Sequence, residues 1–198
     1  MQIHRFSQYA NAYLLNETVL IDAGINPVVI EGHDPELIIL THCHFDHTCA
    51  APAIVEMTGA KIAVHEADAV LLGDDRATAA VMFGEHAPHI APDLLLRGGE
   101  TLEFDGFALD VIHTPGHTQG GICLYEPETR SLFSGDTVFP DGGMGRYDLG
   151  GNISDLARSI ELLTSLDVAV MYPGHMGVTD VDVPAQIRLS LDRARMLM

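Results

Sequence analysis

The chain has 198 residues, 47% of them hydrophobic, enough to fill the core of a single domain spanning residues 1–198. Its formal charge is −18, with 10 basic against 28 acidic side chains, so its surface repels phosphate backbones; neither nucleic acid nor an anionic membrane is expected as a partner. No apolar stretch is long enough to span a bilayer, no signal core follows the N-terminus, and the three cysteines form no C-x-x-C pair; the expected location is cytoplasmic.

In chain order, Asn11–Leu15, Val19–Gly24 and Glu36–Thr41 read as short strands closed by Gly, Asn, Asp or Pro. Leu37–Leu40 has no polar alternation, as expected of a strand covered on both faces. A helix is predicted over about Thr48–Met57, with Pro52 tolerable only in its first turn. Lys61–His65 is another strand. Glu66–Glu85 is mostly helical in composition, broken at Gly73, and the prolines of His86–Pro92 mark a loop. The span Glu66–Pro92 is either a substrate-covering lid or a set of packing helices. Strands resume at Thr101–Phe104, Phe107–His113, Ile122–Tyr125 and Ser131–Ser134, followed by a glycine-rich loop over Asp141–Gly151. Ser154–Leu166 repeats apolar residues at helical spacing, Asp167–Tyr172 is a buried strand, and Pro184–Met198 closes the chain as a helix. Two successive strand-and-helix halves imply an α+β architecture of two αβ layers packed sheet on sheet.

Metal-binding chemistry concentrates in Thr41-His-Cys-His-Phe-Asp-His47, immediately after the third predicted strand. His42 and His44 are two apart and can face one side of the chain, while Asp46 and His47 can turn toward a second point. His117 in His113-Thr-Pro-Gly-His117, Asp136 in Ser134-Gly-Asp136-Thr137 and His175 in Pro173-Gly-His175 each follow a later strand. Imidazole and carboxylate are the ligands a zinc-like ion takes, and a catalytic ion keeps one position open. Cys43 lies inside the cluster but reads as a small buried side chain, because enough ligands exist without it. His4, His33, His86 and His89 read as surface residues, and His65 and His113 as hydrogen-bonded structural ones. Asp22 either orients a ligand histidine from behind or caps its strand.

This ordered set resembles the metallo-β-lactamase superfamily, over nearly the whole chain. The resemblance implies a four-layer αββα sandwich. It also implies that His42, His44 and His117 hold one ion, that Asp46, His47 and His175 hold a second, and that Asp136 bridges them. The ions expected are two divalent cations, zinc first, with iron or manganese as alternatives. The run Gly135–Gly151 is similar to the glyoxalase II, or hydroxyacylglutathione hydrolase-like, and persulfide dioxygenase branch. There Arg146 and Asp148 are expected to pair and brace the loop. Cys49-Ala50 replaces the branch's usual glycine pair. The chain ends about one helix after His175, without the helical region that helps glyoxalase II hold glutathione.

The expected reaction is hydrolysis of a small-molecule thioester or related ester. A hydroxide shared by two ions attacks the carbonyl carbon, and Asp46 orients the nucleophile or shuttles a proton. The same residues admit a mononuclear non-haem iron held by His42, His117 and Asp136 and oxidising a persulfide, or hydrolysis of a lactone or β-lactam. A nuclease of the same superfamily is disfavoured by the charge. An inactive metal-binding module is disfavoured by the complete ligand set. The oligomeric state cannot be read from the sequence.

Overall fold

In the computed structural model, which describes every residue from Met1 to Met198, the apolar runs of the sequence become the strands of two main sheets. One sheet belongs to a unit formed by residues 1–96, the other to a unit formed by residues 97–198.

The first unit opens with β1 (Ile3–Ser7), β2 (Asn11–Leu15) and β3 (Val19–Ile21), which pair antiparallel in that order. Then β4 (Leu37–Ile39), β5 (Lys61–His65) and β6 (Leu94–Leu96) continue the sheet in parallel. The helix predicted over about Thr48–Met57 forms as α2 (Ala51–Thr58), set off from a short preceding α1 (Phe45–Thr48). The break has a chemical cause, since Pro52 sits in the first turn of α2, where its missing N–H costs nothing. Gly59, at φ 75°, ends α2 in the left-handed conformation. The core combines Leu14, Leu20 and Ile38 from the strands, and Leu40 just after β4, with Ile54 of α2, all fully buried.

The helical expectation for Glu66–Glu85 is corrected. Only α3 (Glu66–Ala69) and a single 3-10 turn at Ala80–Phe83 form. Ala79 at φ 58° and Gly84 at φ 72° adopt left-handed backbone on either side of that turn and stop it from extending. Strands β1 and β6 were not anticipated. Alternation in β1 is interrupted by His4 and Arg5, and β6 is an edge strand with Leu94 and Leu95 exposed.

The second unit comprises β7 (Thr101–Phe104), β8 (Phe107–His113), β9 (Ile122–Glu126), β10 (Ser131–Gly135), the short ribbon β11 (Val138–Phe139) and β12 (Gly143–Met144), α4 (Ile153–Leu163), β13 (Val170–Pro173) and α5 (Val183–Met196). The five-stranded sheet runs β13-β10-β9-β8-β7, parallel between β10 and β13 and antiparallel elsewhere. Strands β8, β10 and β13 therefore point the same way, and their carboxyl ends share one edge. Leu156, Ile160 and Leu163 of α4 pack with Leu132, Met171 and Ile187 in the core. Asn152 caps α4 by accepting from the Ser154 and Asp155 amides. Helix α5 grips the glycine-rich loop: Arg193 donates to the Asp141 carbonyl at 2.7 Å and the Gly142 carbonyl at 2.9 Å, and Ser190 to the Gly143 carbonyl at 2.8 Å.

Candidate metal centre

Within the first unit the candidate ligands leave the carboxyl end of β4, beside the ends of its parallel neighbours, where open parallel sheets place their sites. The His42 ring lies 4.8 Å from that of His44 and 4.1 Å from that of His47, centroid to centroid. Donor atoms of Asp46 and His47 lie within 4.8 Å of each other. His42, His44 and His47 are buried and Asp46 is half-buried. Gly24 makes this loop possible: a Cβ there would sit 1.7 Å from the Asp46 carbonyl oxygen, so no other residue fits.

Asp22 organises the segment, and it does more than cap its strand. It is buried and left-handed (φ 60°), a conformation aspartate tolerates. Its Oδ1 accepts from the Thr41 amide at 2.8 Å, and its Oδ2 accepts from the Thr41 hydroxyl at 2.9 Å and from His47 Nδ1 at 2.8 Å. A carboxylate only accepts, so His47 Nδ1 carries the proton and Nε2 presents its lone pair. The Thr41 hydroxyl spends its hydrogen on Asp22 and must accept from His42 Nδ1, 3.0 Å away, which sets the same tautomer on His42.

A second buried carboxylate was missed at the sequence level. Asp68 of α3 accepts from the Cys43 amide at 2.9 Å and pins the centre of the ligand loop. The Cys43 thiol donates to the Ala77 carbonyl at 3.8 Å. Burial, reinforced by the Asp68 charge, pushes its pKa far up, so it stays a neutral core side chain. His65 caps α3 by accepting from the Ala67 amide, and His113 donates from Nε2 to the Gln119 carbonyl as a structural ring; the four other non-cluster histidines, His4, His33, His86 and His89, are exposed or half-buried.

Within the second unit His117 follows β8, Asp136 follows β10 and His175 follows β13, so all three leave the same edge of their sheet. The Gly174 amide donates to the Gly135 carbonyl at 2.8 Å and ties two of these loops together. One oxygen of Asp136, Oδ2, lies 3.6 Å from His117 Nε2 and 3.4 Å from His175 Nε2. Those separations are long for hydrogen bonds. Each matches two ligand atoms sharing a tetrahedral ion, which at metal–ligand distances of about 2.0–2.2 Å sit about 3.4 Å apart. The donor set therefore fits a divalent cation.

His117 Nδ1 donates to the Arg146 carbonyl at 2.6 Å, fixing its tautomer as Asp22 fixes that of His47. Arg146 and Asp148 form the expected pair, with Nε to Oδ1 at 2.8 Å and an outer nitrogen to Oδ2 at 2.7 Å. The hydrogen bond from Arg146 holds the Asp148 carboxyl down to about 2. Gly145, just before Arg146, has no room for a side chain: a Cβ would lie 2.0 Å from the Asp136 carbonyl oxygen and 2.9 Å from His117 Nδ1. At the other end of the His117 loop, the Asn152 amide donates to the Gly116 carbonyl at 2.8 Å and Ser159 donates to the Pro115 carbonyl at 2.7 Å.

Residues 8–175, which include all seven candidate ligands, match the model of the metallo-beta-lactamase superfamily. The chain belongs to that superfamily. Among its superfamily relatives is a probable metallo-hydrolase, YqgX of Bacillus subtilis, 34% identical over 87% of this chain and 87% of the relative. An acyl-coenzyme A thioesterase of Gallus gallus, MBLAC2, is 32% identical over 74% of this chain and 58% of its own length. Two solved structures share the superfamily fold along almost the whole chain. The BLEG-1 B3 metallo-beta-lactamase has a TM-score of 0.84 and 27% identity, covering 100% of both chains. TTHA1623, crystallised in a di-iron-bound form, has a TM-score of 0.77 and 33% identity, covering 98% of this chain and 97% of its own. The α+β fold class expected from the sequence is the fold found. No helix is long and apolar enough to cross a membrane.

Proposed function

We propose that the chain is a binuclear metal-dependent thioesterase acting as one domain over residues 1–198, on the glyoxalase II-like side of its superfamily. His42, His44 and His117 would hold one ion, Asp46, His47 and His175 the other, with Asp136 shared. The observation that carries this reading is the tautomer control: buried Asp22, Thr41 and the Arg146 carbonyl tie back Nδ1 of His47, His42 and His117, so that each presents Nε2. Such control has little purpose in rings that only fill space. The ions, when bound, supply an acidified water and a positive charge beside the substrate carbonyl oxygen.

The chain's own groups do the rest. Asp46, half-buried at the start of α1, orients the attacking water and holds its proton. The thiolate is a weak enough base to leave without a strong general acid. The thioesterase relative supports the substrate class, and the di-iron neighbour makes iron as apt an occupant as zinc. Three free cysteines agree with a reducing, cytoplasmic setting.

The test is elemental analysis of protein purified without added metal, followed by a panel of uncharged acyl thioesters. Two ions per chain, and hydrolysis that disappears on chelation and returns with metal, are the expected results. Turnover that survives complete metal removal would sink the reading, as would one iron per chain with persulfide-dependent oxygen uptake.

A further inference from the structure

Beside the ligand loop the first unit displays a cluster of apolar side chains, most of them exposed. The rings of Tyr9, Phe45 and Phe83 form a triangle, with centroids 6.4 Å apart for Tyr9–Phe45, 6.0 Å for Tyr9–Phe83 and 5.3 Å for Phe45–Phe83. Phe45 is nearly buried, whereas Tyr9 is 48%, Phe83 42%, Met82 57% and Val81 54% exposed. Phe45 stands between His44 and Asp46, so the cluster begins one residue from two proposed ligands.

The turn bearing Val81, Met82 and Phe83 is fastened to the same loop. The Phe45 amide donates to the Thr78 carbonyl at 2.7 Å, and the Cys43 thiol reaches the Ala77 carbonyl at 3.8 Å. The left-handed residues Ala79 and Gly84 bound the turn, whose Val81, Met82 and Phe83 are exposed. A local surface of this kind on a chain of charge −18 has a solubility cost, and contiguous exposed apolar groups mark binding sites. Five side chains are far fewer than the roughly 20–30 residues a side of a stable protein interface, so the patch suits a small molecule. The charged neighbours in the segment, Asp74, Asp75, Arg76 and Glu85, are mostly acidic and disfavour an anionic occupant.

The geometry points to a subsite for the apolar acyl chain of the substrate, formed by Tyr9, Phe45, Met82 and Phe83, an inference that rests on the thioesterase reading for its place in the reaction. The occupant is an uncharged alkyl group of several carbons lying against the rings, with its carbonyl directed to the ligand loop. This gives the span Glu66–Pro92 a role other than that of packing helices: its central turn is part of the substrate surface.

The probes are S-ethyl, S-butyl and S-hexyl thioethers of N-acetylcysteamine, which are uncharged and cannot be hydrolysed. They are titrated calorimetrically into the metal-loaded and the metal-stripped full chain. Affinity is expected to rise about two- to fourfold per methylene, the range set by burying a CH₂ group. In Phe83→Ser and in Met82→Ser the increment should fall toward one; both positions are exposed, and a circular dichroism melt verifies folding. In parallel, the ratio of kcat/KM for hexanoyl over acetyl thioester should drop at least tenfold in Phe83→Ser. Equal chain-length increments in wild type and variants would overturn the subsite. So would a wild type with no chain-length dependence, or a self-association that Phe83→Ser abolishes while no thioether binds. If no thioester is turned over yet alkyl binding still depends on Phe83, the subsite stands and the thioesterase reading fails.

Discussion

The two units build their halves of the proposed ligand set by different means. In residues 1–96 four ligands crowd into His42–His47 behind one strand, and buried side-chain carboxylates, Asp22 and Asp68, hold them. In residues 97–198 three ligands arrive on three separate loops, and backbone holds them: the Arg146 carbonyl, the Gly174–Gly135 hydrogen bond, and glycines that let chain pass against chain. A compact ligand segment has many donors needing orientation within a few ångströms, and one carboxylate can serve three of them. Dispersed ligands share no such neighbour, so their positions depend on how closely the loops pack.

Substitutions can break or sharpen this contrast. The largest effect is expected from Asp22→Ala. It leaves the Thr41 amide and the His47 Nδ1 proton buried without an acceptor, each costing about 1–3 kcal/mol. Metal affinity should fall roughly 10–100-fold. Urea unfolding and competition with a chelator measure both; wild-type affinity in this variant would refute the role given to the carboxylate.

Next is Gly145→Ala, whose methyl must displace the Asp136 carbonyl or the His117 ring. Overpacking of this kind costs about 1–3 kcal/mol. Hydrogen exchange should localise the loosening to residues 97–198, and equal loosening in both units would blur the distinction. Asp68→Asn keeps an acceptor for the Cys43 amide, so a smaller loss is expected, about 1 kcal/mol by urea midpoint. A loss several times larger would mean that the negative charge, rather than the acceptor, is what the loop requires.

The smallest effect is expected at the exposed Arg146–Asp148 pair. In Arg146→Met the Asp148 carboxyl should titrate near its ordinary 3.8 instead of about 2, as followed by NMR. Because the folded value is the depressed one, the pair's stabilisation is present above the ordinary carboxylate value and is lost as pH falls toward about 2. The variant should lack that acid limb.

Where the sequence misled, a tertiary attachment outweighed local preference. Glu66–Glu85 is rich in good helix formers, yet Thr78 is bonded to Phe45 and Ala79 turns left-handed, and the helix never propagates. The strand over Lys61–His65 and the paired strands Thr101–Phe104 and Phe107–His113 were legible because alternation or unbroken apolarity matches a half-buried or fully buried strand. Strand β6 was not legible: its exposed leucines follow a proline-rich stretch and become a strand only by pairing with β5.

The sequence alone determined the inventory of donors, their order, their attachment to strand ends, and through them the superfamily. Those features survive in one dimension because a motif records residue type and spacing. Only the tertiary structure decided that Asp22 orients a histidine as well as closing a strand, that Asp68 holds the ligand loop, and that Tyr9, Phe45 and Phe83 meet. These depend on atoms brought together across 25 or more positions by sheet pairing and burial, and no local pattern along the chain encodes such a meeting.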